Sequence, residues 1–284
     1  MHKIVKEMHR IMRNLSEACM AFFTWTAAIL TVGILFFLVA FIFIKGIPFI
    51  RPSLFSFTYN SENVSLMPAL VTTVLMTALS LLIAVPLGIF AAIYLTEYAK
   101  RGNKAVSIVR VTTETLSGIP SIVYGLFGML FFVTFLKWGY SVLAGACTLA
   151  IMILPLIMRS SEEALKAVPD TYREGSFGLG AGKLRTVFKI VLPSAMSGIL
   201  AGIILAVGRV VGETAALIYT AGTVAQIPQN PMMSARTLSV HMYAISSEGL
   251  HMNESYATAA VLLIVIMLIN RISAKIAKKM GVIA

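Results

Sequence analysis

The sequence predicts an all-α integral membrane protein with six transmembrane helices. Of the 284 residues, 58% are hydrophobic and the mean hydropathy is +0.88, whereas a soluble domain contains roughly 45–50% apolar residues. The apolar residues form six long runs, and a helix needs about 20 such residues to cross a bilayer. The lysines and arginines, which give a net charge of +11, lie mostly in short blocks between these runs. Charges placed in this way orient a membrane protein, so we expect membrane lipid around the chain and no nucleic-acid partner.

The six runs divide the chain into spans and connections. They cover residues 19–44, 67–96, 116–136, 140–158, 194–220 and 256–270. The first run follows a basic segment, as in a signal peptide, but it is too long for a signal-peptide core and lacks a small-x-small cleavage site, so we expect an uncleaved span. The predicted organisation is an N-terminal tail (1–18), a first helix with its outer loop (19–66), a five-helix core (67–274) that includes a long connection (159–193), and a C-terminal tail (275–284).

The basic residues also predict which side each connection faces, because cytoplasmic loops collect Lys and Arg. With the N-terminus inside, eighteen of the 23 Lys and Arg fall in the two tails and in the second and fourth connections, while four fall outside. We therefore predict that both termini are cytoplasmic. The remaining basic residue, Arg209, lies within the fifth run.

Small residues and prolines predict how the helices meet. In the fifth run small residues recur every four positions, at Ser194, Gly198, Gly202 and Ala206. Such a stripe lets a second helix approach closely. Pro86 in the second run and residues 118–120 (Gly-Ile-Pro) at the start of the third remove backbone hydrogen bonds, so we expect kinks at both places.

The connection 159–193 is far longer than the roughly 2–8 residues that usually join helices, and it predicts a folded foot outside the membrane. Two capping-box spacings indicate two helix starts, at Ser160 with Glu163 and at Thr171 with Glu174. Pro169 separates the two helices, and three closely spaced glycines end the second one. One interpretation is an amphipathic hairpin bound to lipid. The acidic residues of the foot favour a protein groove as its docking site.

This connection resembles the EAA loop of ABC-importer permeases. The match consists of a Glu-small-small triplet, a following Gly and an Ile-x-Leu-Pro pattern, at Glu174, Gly175, Ser176, Gly180, Ile190, Leu192 and Pro193. The family has Glu-Ala-Ala where this chain has Glu-Gly-Ser. The resemblance implies a coupling helix near residues 170–180 that seats in a cytoplasmic ATPase subunit. The residues it assigns to this contact are Asp170, Tyr172, Arg173, Glu174, Gly175, Ser176 and Gly180.

A glycine-rich segment at residues 178–184 looks like a phosphate-binding loop but departs from it at two essential positions. Phe177 stands where the first Gly belongs, and Leu184 stands where Ser or Thr would hold magnesium. We therefore expect no nucleotide site, no metal site, no cofactor and no catalytic residue on this chain. ATP and Mg²⁺ are expected on partner ATPase subunits.

Arg209 and Glu213 lie midway through the fifth run, four residues apart, and on one continuous helix they would share a face. A charge at bilayer depth costs at least ~2.5–3.5 kcal/mol, so we expect both to line a polar pathway. One interpretation is an intrahelical ion pair, but a pair with Arg first contributes only a few tenths of a kcal/mol. The five donors of a guanidinium exceed what one carboxylate accepts. This excess favours an oxyanion such as phosphate or sulfate as the ligand.

The same stretch is similar to permeases of the phosphate-specific transport system. Residues 208–215 contain the family's Arg-x-x-Gly-Glu-Thr signature, residues 117–128 resemble its third span, and Asn270 stands where its last span usually has Asn. Residues 237–243 look more like the Pst A permease than the Pst C permease. The resemblance covers about residues 67–271 and implies the type I ABC-importer permease fold with a cytoplasmic coupling helix.

These features lead to one hypothesis, an importer of inorganic phosphate in a bacterial or archaeal inner membrane. The resemblance implies a homologous permease of the Pst C type, two nucleotide-binding ATPase subunits and an extracytoplasmic phosphate-binding protein as partners. Arg209 is expected to attract the anion. Glu213 is expected to hold the guanidinium and compete for it, and Thr214 to offer a hydroxyl.

Other functions stay open at this point. The chain could serve an importer for another oxyanion, or act as a stand-alone secondary anion transporter without an ATPase. An intramembrane enzyme and a structural scaffold are less favoured, because the histidines lie outside the spans and a buried Arg would be a needless cost to a scaffold. We expect His241 and His251 to be solvated or at an interface.

Overall fold

A computed structural model describes residues 2–100 and 102–279, with side chains from 17 to 100 and from 102 to 275. Every regular element in these ranges is helical, so the all-α prediction is confirmed there. Residues 280–284 of the predicted C-terminal tail, together with Met1 and Arg101, lie outside the described residues.

The described part of the chain forms eleven α-helices. They are α1 (His2–Gly46), α2 (Met67–Ile93), α3 (Lys104–Ser117), α4 (Ser121–Gly128), α5 (Val142–Lys166), α6 (Asp170–Gly178), α7 (Lys183–Thr186), α8 (Leu192–Val211), α9 (Ala215–Ile218), α10 (Leu238–Glu248) and α11 (Met252–Lys279). Wider π-helical segments prolong α2 at Tyr94–Tyr98, α4 at Met129–Phe135 and α7 at Val187–Val191. Two 3-10 turns, Ile47–Phe49 and Pro52–Phe55, follow α1.

The described residues hold five helical stretches that are long and apolar enough to cross a bilayer. They are Glu17–Phe49, Met67–Tyr98, Val142–Lys166, Lys183–Val211 and Met252–Lys275. A sixth forms if α3 and the bent continuation Ser121–Phe135 are taken as one broken span. The number of spans agrees with the sequence prediction.

The third predicted span, residues 116–136, is interrupted. The chain turns by 103° between α3 and Ser121–Phe135, which confirms the kink predicted at Gly-Ile-Pro. Pro120 adopts an extended conformation with φ −58° and ψ 140°, and proline also disfavours helical geometry in the residue before it. In contrast, α2 continues as an α-helix through Pro86.

The prediction of the fifth span, residues 194–220, was wrong for its second half. The helix extends further toward the N-terminus than expected, as Lys183–Val211, and ends before Gly212. A four-residue helix, α9, follows the break. Glycine has a low helix propensity, which favours a helix end at Gly212. Hydrophobicity does not reveal this end, because the apolar run continues past it.

Both predicted capping boxes were also wrong. α5 continues through Ser160 to Lys166, and the Ser160 hydroxyl donates to the carbonyl of Ile157 within the same helix. α6 begins at Asp170 directly after Pro169, and no side chain caps it. Serine and threonine can bond back to a carbonyl inside a helix as well as cap one, so the spacing does not separate the two cases. The predicted end of the second helix is confirmed by Gly180 at φ +80°.

The centre of the bundle is formed by α2, α5 and α8, with small residues at their contacts. A Cβ placed on Gly88 of α2 would lie 2.8 Å from the side chain of Ile157, and one on Gly198 of α8 would lie 2.6 Å from the Cβ of Ala164. Gly202 faces Ser160 even more closely. The predicted small-residue stripe on α8 therefore packs against α5. α1 lies at the periphery and meets α11 where Gly46 touches Tyr256.

Candidate functional site

α6, the predicted coupling helix, presents one exposed face. Tyr172 is 52% exposed and Phe177 46% exposed, and Glu174 is also exposed. A Cβ on Gly175 would meet nothing within 4 Å. Asp170 and Gly180, at the two ends of the helix region, are exposed as well. These residues form a continuous surface on which another protein can dock.

Two of the residues assigned to coupling point the other way. Ser176 is buried, and its hydroxyl lies 2.8 Å from that of Thr186. The Arg173 side chain is 14% exposed and lies 2.8 Å from the carboxylate of Glu97, which is 8% exposed. Arg173 and Ser176 therefore attach α6 to the rest of the chain rather than extend its exposed face.

Arg209 lies in the last turn of α8 and is half-buried. It lines a cavity of about 650 Å³ whose other walls include Leu156, Gly208 and Asn270. Within the described residues, the guanidinium has no ion pair within 4.0 Å and no hydrogen bond. The cavity is open to the outside of this chain and mostly apolar, so the charge faces a groove with few competing polar groups.

Glu213 does not pair with Arg209, so the expectation that it holds the guanidinium was wrong for this structure. It lies beyond the end of α8, is 8% exposed, and its carboxylate accepts a hydrogen bond from the backbone N–H of Ala216 at 3.1 Å. Its carbonyl accepts from the hydroxyl of Ser239 at 2.5 Å. The two residues would share a face only on an unbroken helix. Thr214 is half-buried beside the same break.

A buried cluster at α10 was missed by the sequence reasoning. His241 is fully buried rather than solvated, and Arg236 is 5% exposed. The Arg236 guanidinium lies 4.7 Å from the centre of the Tyr59 ring, and His241 packs edge-on against the same ring. Burial, with the neighbouring Arg236 charge, lowers the pKa of His241 to about 3. Nothing in the local sequence pattern distinguishes these residues from an exposed loop.

With this geometry established, comparison with known proteins identifies the family. The family model described as the inner membrane component of binding-protein-dependent transport systems matches residues 84–280. The chain belongs to this family. It is therefore a multi-pass inner-membrane subunit of a transporter.

Several relatives are similar over most of the chain. A phosphate transport system permease protein PstA of Pasteurella multocida is 34% identical over 230 residues, which cover 80% of this chain and 81% of the relative. PstA 1 of Mycobacterium tuberculosis is 35% identical, with 73% of this chain and 69% of the relative covered. A probable ABC transporter permease, YqgI of Bacillus subtilis, is 38% identical over 61% of this chain and 63% of the relative. The chain thus spans less than two thirds of this last relative.

Solved ABC transporters share the fold. A chain of the MetNI methionine transporter in an inward-facing conformation has a TM-score of 0.58 and 20% identity over 75% of this chain and 93% of that one. A chain of a bacterial alginate transporter has a TM-score of 0.61 and 15% identity over 89% of this chain and 93% of that one. The predicted ABC-importer permease fold is confirmed.

Proposed function

We propose that the chain is a permease subunit of an ATP-driven importer of inorganic phosphate. The relatives support the proposal in three ways. They are named phosphate transport permeases, they are about 35% identical to this chain, and they match most of its length. The observation in the structure that carries it is Arg209, whose guanidinium has no counter-ion among the described residues and lies on the wall of an open groove.

The groove suits an anion on physical grounds. A cation in an apolar setting is costly unless it has a partner, and none of the described residues supplies one to Arg209. Low-polarity walls strengthen the Coulomb attraction for an anion that enters. The fork of a guanidinium matches two oxygens of a phosphate. Asn270 lines the same groove and supplies an amide that can donate to a third oxygen.

Glu213 and Thr214 have roles at the break that follows α8. Glu213 stabilises the start of α9 through Ala216 and ties the break to Ser239 of α10. This fixes where α8 ends and therefore where Arg209 is presented. Thr214 is half-buried at the same place and offers a hydroxyl to the passing anion.

The energy for transport comes from a separate ATPase that contacts α6. The exposed face of α6, with Asp170, Tyr172, Glu174, Gly175 and Gly180, docks into an ATPase subunit on the cytoplasmic side. The excess of Lys and Arg at this end of the bundle supports that orientation, with both termini in the cytoplasm. This chain binds no cofactor and has no nucleotide-binding motif, and ATP and Mg²⁺ bind to two partner ATPase subunits.

A homologous permease of the Pst C type closes the open side of the groove, and an extracytoplasmic phosphate-binding protein delivers the anion. Closure of the ATPase pair moves α6, and the bundle alternates between inward-open and outward-open states. The remaining candidates are an importer of another oxyanion and a stand-alone anion transporter. The family match makes the second less favoured.

The test is transport by the purified assembly. The chain is isolated from its native membrane in mild detergent, reconstituted in vesicles and supplied with ATP, ³²P-phosphate and the co-purified binding protein. We expect an ATPase to co-purify and phosphate to accumulate only with ATP, with a tenfold excess of sulfate competing weakly. Accumulation without ATP would identify a stand-alone transporter, and preference for sulfate would identify a different oxyanion as cargo.

A further inference from the structure

We propose that Glu97 is a positioning residue for coupling, and that its ion pair with Arg173 transmits the movement of α6 to α2. Glu97 lies in the π-helical segment Tyr94–Tyr98 that ends α2, 76 residues before its partner. The inference rests on the proposed function, because it requires that α6 receives force from an ATPase. The sequence patterns that identify the coupling helix say nothing about Glu97.

The geometry of the pair is that of a two-point attachment. Nη2 of Arg173 donates to Oε1 of Glu97 at 2.8 Å, and Nε donates to the same carboxylate at 3.2 and 3.4 Å. Paired contacts between a guanidinium and a carboxylate fix orientation as well as distance. Both side chains are largely shielded from water, with 14% and 8% exposed. Exposed ion pairs contribute little, but breaking a buried one leaves an uncompensated charge.

The same guanidinium also holds the end of α5. Nη1 donates to the carbonyl of Val168 at 2.7 Å, and Nη2 donates to the carbonyl of Leu165 at 2.9 Å. The last carbonyls of a helix have no partner within that helix, and a positive charge there is favourable. Arg173 therefore joins three elements, α6, α5 and α2, through one side chain.

Of these attachments, the one to α2 depends on Glu97. The chain links α5 to α6 directly through a short turn at residues 167–169, so α5 follows α6 without any side-chain contact. α2 has no such covalent connection to α6. A displacement of α6 therefore reaches α2 through the ion pair and through the apolar contacts that surround it, which include Leu95 and Val168.

Among the described residues, Lys166 is the other cation that lines the cavity beside Glu97 and Arg173, and it already has a partner. Lys166 lines the same cavity as Glu97, of about 320 Å³, but its Nζ lies 2.7 Å from the carboxylate of Glu162. Glu162 is also paired with Arg110 at 2.6 Å. Among the described residues, Arg173 is consequently the cation on which Glu97 depends.

The test compares Glu97→Gln with Glu97→Asp and Glu163→Gln in the complete reconstituted transporter. Glu97→Gln removes the charge but keeps an oxygen acceptor of the same shape. Glu97→Asp keeps the charge on a shorter arm. Glu163→Gln removes a carboxylate on α5 that pairs with Arg159 at 3.0 Å, with both side chains more than half exposed, and serves as the matched control. Phosphate uptake, ATP hydrolysis and the amount of assembled complex are measured for each variant.

We expect Glu97→Gln to assemble normally and hydrolyse ATP, while the phosphate imported per ATP falls at least about 5-fold, the lower end of typical coupling between sites. Glu97→Asp should recover part of the loss, and Glu163→Gln should match the wild type. An unchanged ratio of transport to hydrolysis in Glu97→Gln would overturn the inference. So would a loss of uptake that only follows a loss of assembled complex, since that result marks a purely structural pair. If the wild-type assembly itself imports nothing with ATP, the proposed function fails instead.

Discussion

Arg173 and Arg209 are the same residue type in two opposite situations. Every nitrogen of the Arg173 guanidinium donates to an oxygen of the chain, and the side chain is 14% exposed. Arg209 has no such partner among the described residues and borders an open groove. The role of each arginine in this protein therefore follows from whether its N–H donors have acceptors within the chain. A saturated guanidinium holds structure, and an unsaturated one is available to a ligand.

The largest expected effect is a difference in stability between Arg173→Ala and Arg209→Ala. Arg173→Ala removes the partner of Glu97 and leaves a buried carboxylate unpaired, which costs about 3–5 kcal/mol. Arg209 has no ion-pair or hydrogen-bond partner among the described residues, so the effect of Arg209→Ala on stability should be small. Thermal unfolding of the detergent-purified assembly measures both. Equal melting temperatures for the two variants would show that the Arg173 contacts do not hold the fold.

A second prediction compares the two halves of α8, because Gly198 is tightly packed and Gly208 lies beside the groove. A methyl group on Gly198 collides with Ala164, while one on Gly208 meets nothing within 4 Å. Gly198→Ala should destabilise the chain by about 1–3 kcal/mol through overpacking. Gly208→Ala should be neutral or slightly stabilising, because alanine favours helix by roughly 0.5–1 kcal/mol over glycine. The same unfolding measurement checks both, and an equal loss in the two variants would mean that the groove is closed around Gly208.

The smallest effect concerns the buried cluster of His241 with Arg236 and Tyr59. The pKa of His241 is lowered to about 3 in the folded chain, against about 6.5 when unfolded. Below pH 6.5 the unfolded state binds a proton that the folded state does not, so stability falls as the pH falls from 6.5 toward 3. The expected loss is about 1.4 kcal/mol at pH 5.5.

Chemical unfolding of the wild type and of His241→Gln at pH 7.5 and pH 5.5 measures this term. His241→Gln is expected to lose less stability on acidification than the wild type, because glutamine does not titrate. The same pH dependence in both proteins would show that His241 is not the group responsible.

The sequence predicted the parts of the fold that depend on hydrophobicity and on backbone restriction. The number of spans follows from apolar length, the turn before α4 follows from Pro120, and the end of α6 follows from the glycines after it. The stripe that includes Gly198 and Gly202 correctly predicted a close helix contact. Each of these signals lies within a short stretch of residues, so a single sequence is enough to detect it.

The errors share a different cause. The end of α8 before Gly212 lies inside an apolar run, where hydropathy stays high whether or not the helix continues. Ser160 satisfies the spacing of a cap while bonding back within α5. The pairing of Arg173 with Glu97 joins residues 76 positions apart, and the burial of His241 depends on a loop almost two hundred residues earlier. Tertiary contacts of this kind decide side-chain roles without leaving a local pattern.

Arg209 has no partner among the described residues, and we attribute this to its role in binding the transported anion. The most direct measurement is ATP-driven uptake of ³²P-phosphate by the reconstituted assembly with Arg209→Gln, alongside its melting temperature. We expect uptake to fall about 100-fold, as for loss of a buried charge partner, while the assembly and its melting temperature stay those of the wild type. Uptake at the wild-type rate by a normally assembled Arg209→Gln transporter would contradict it.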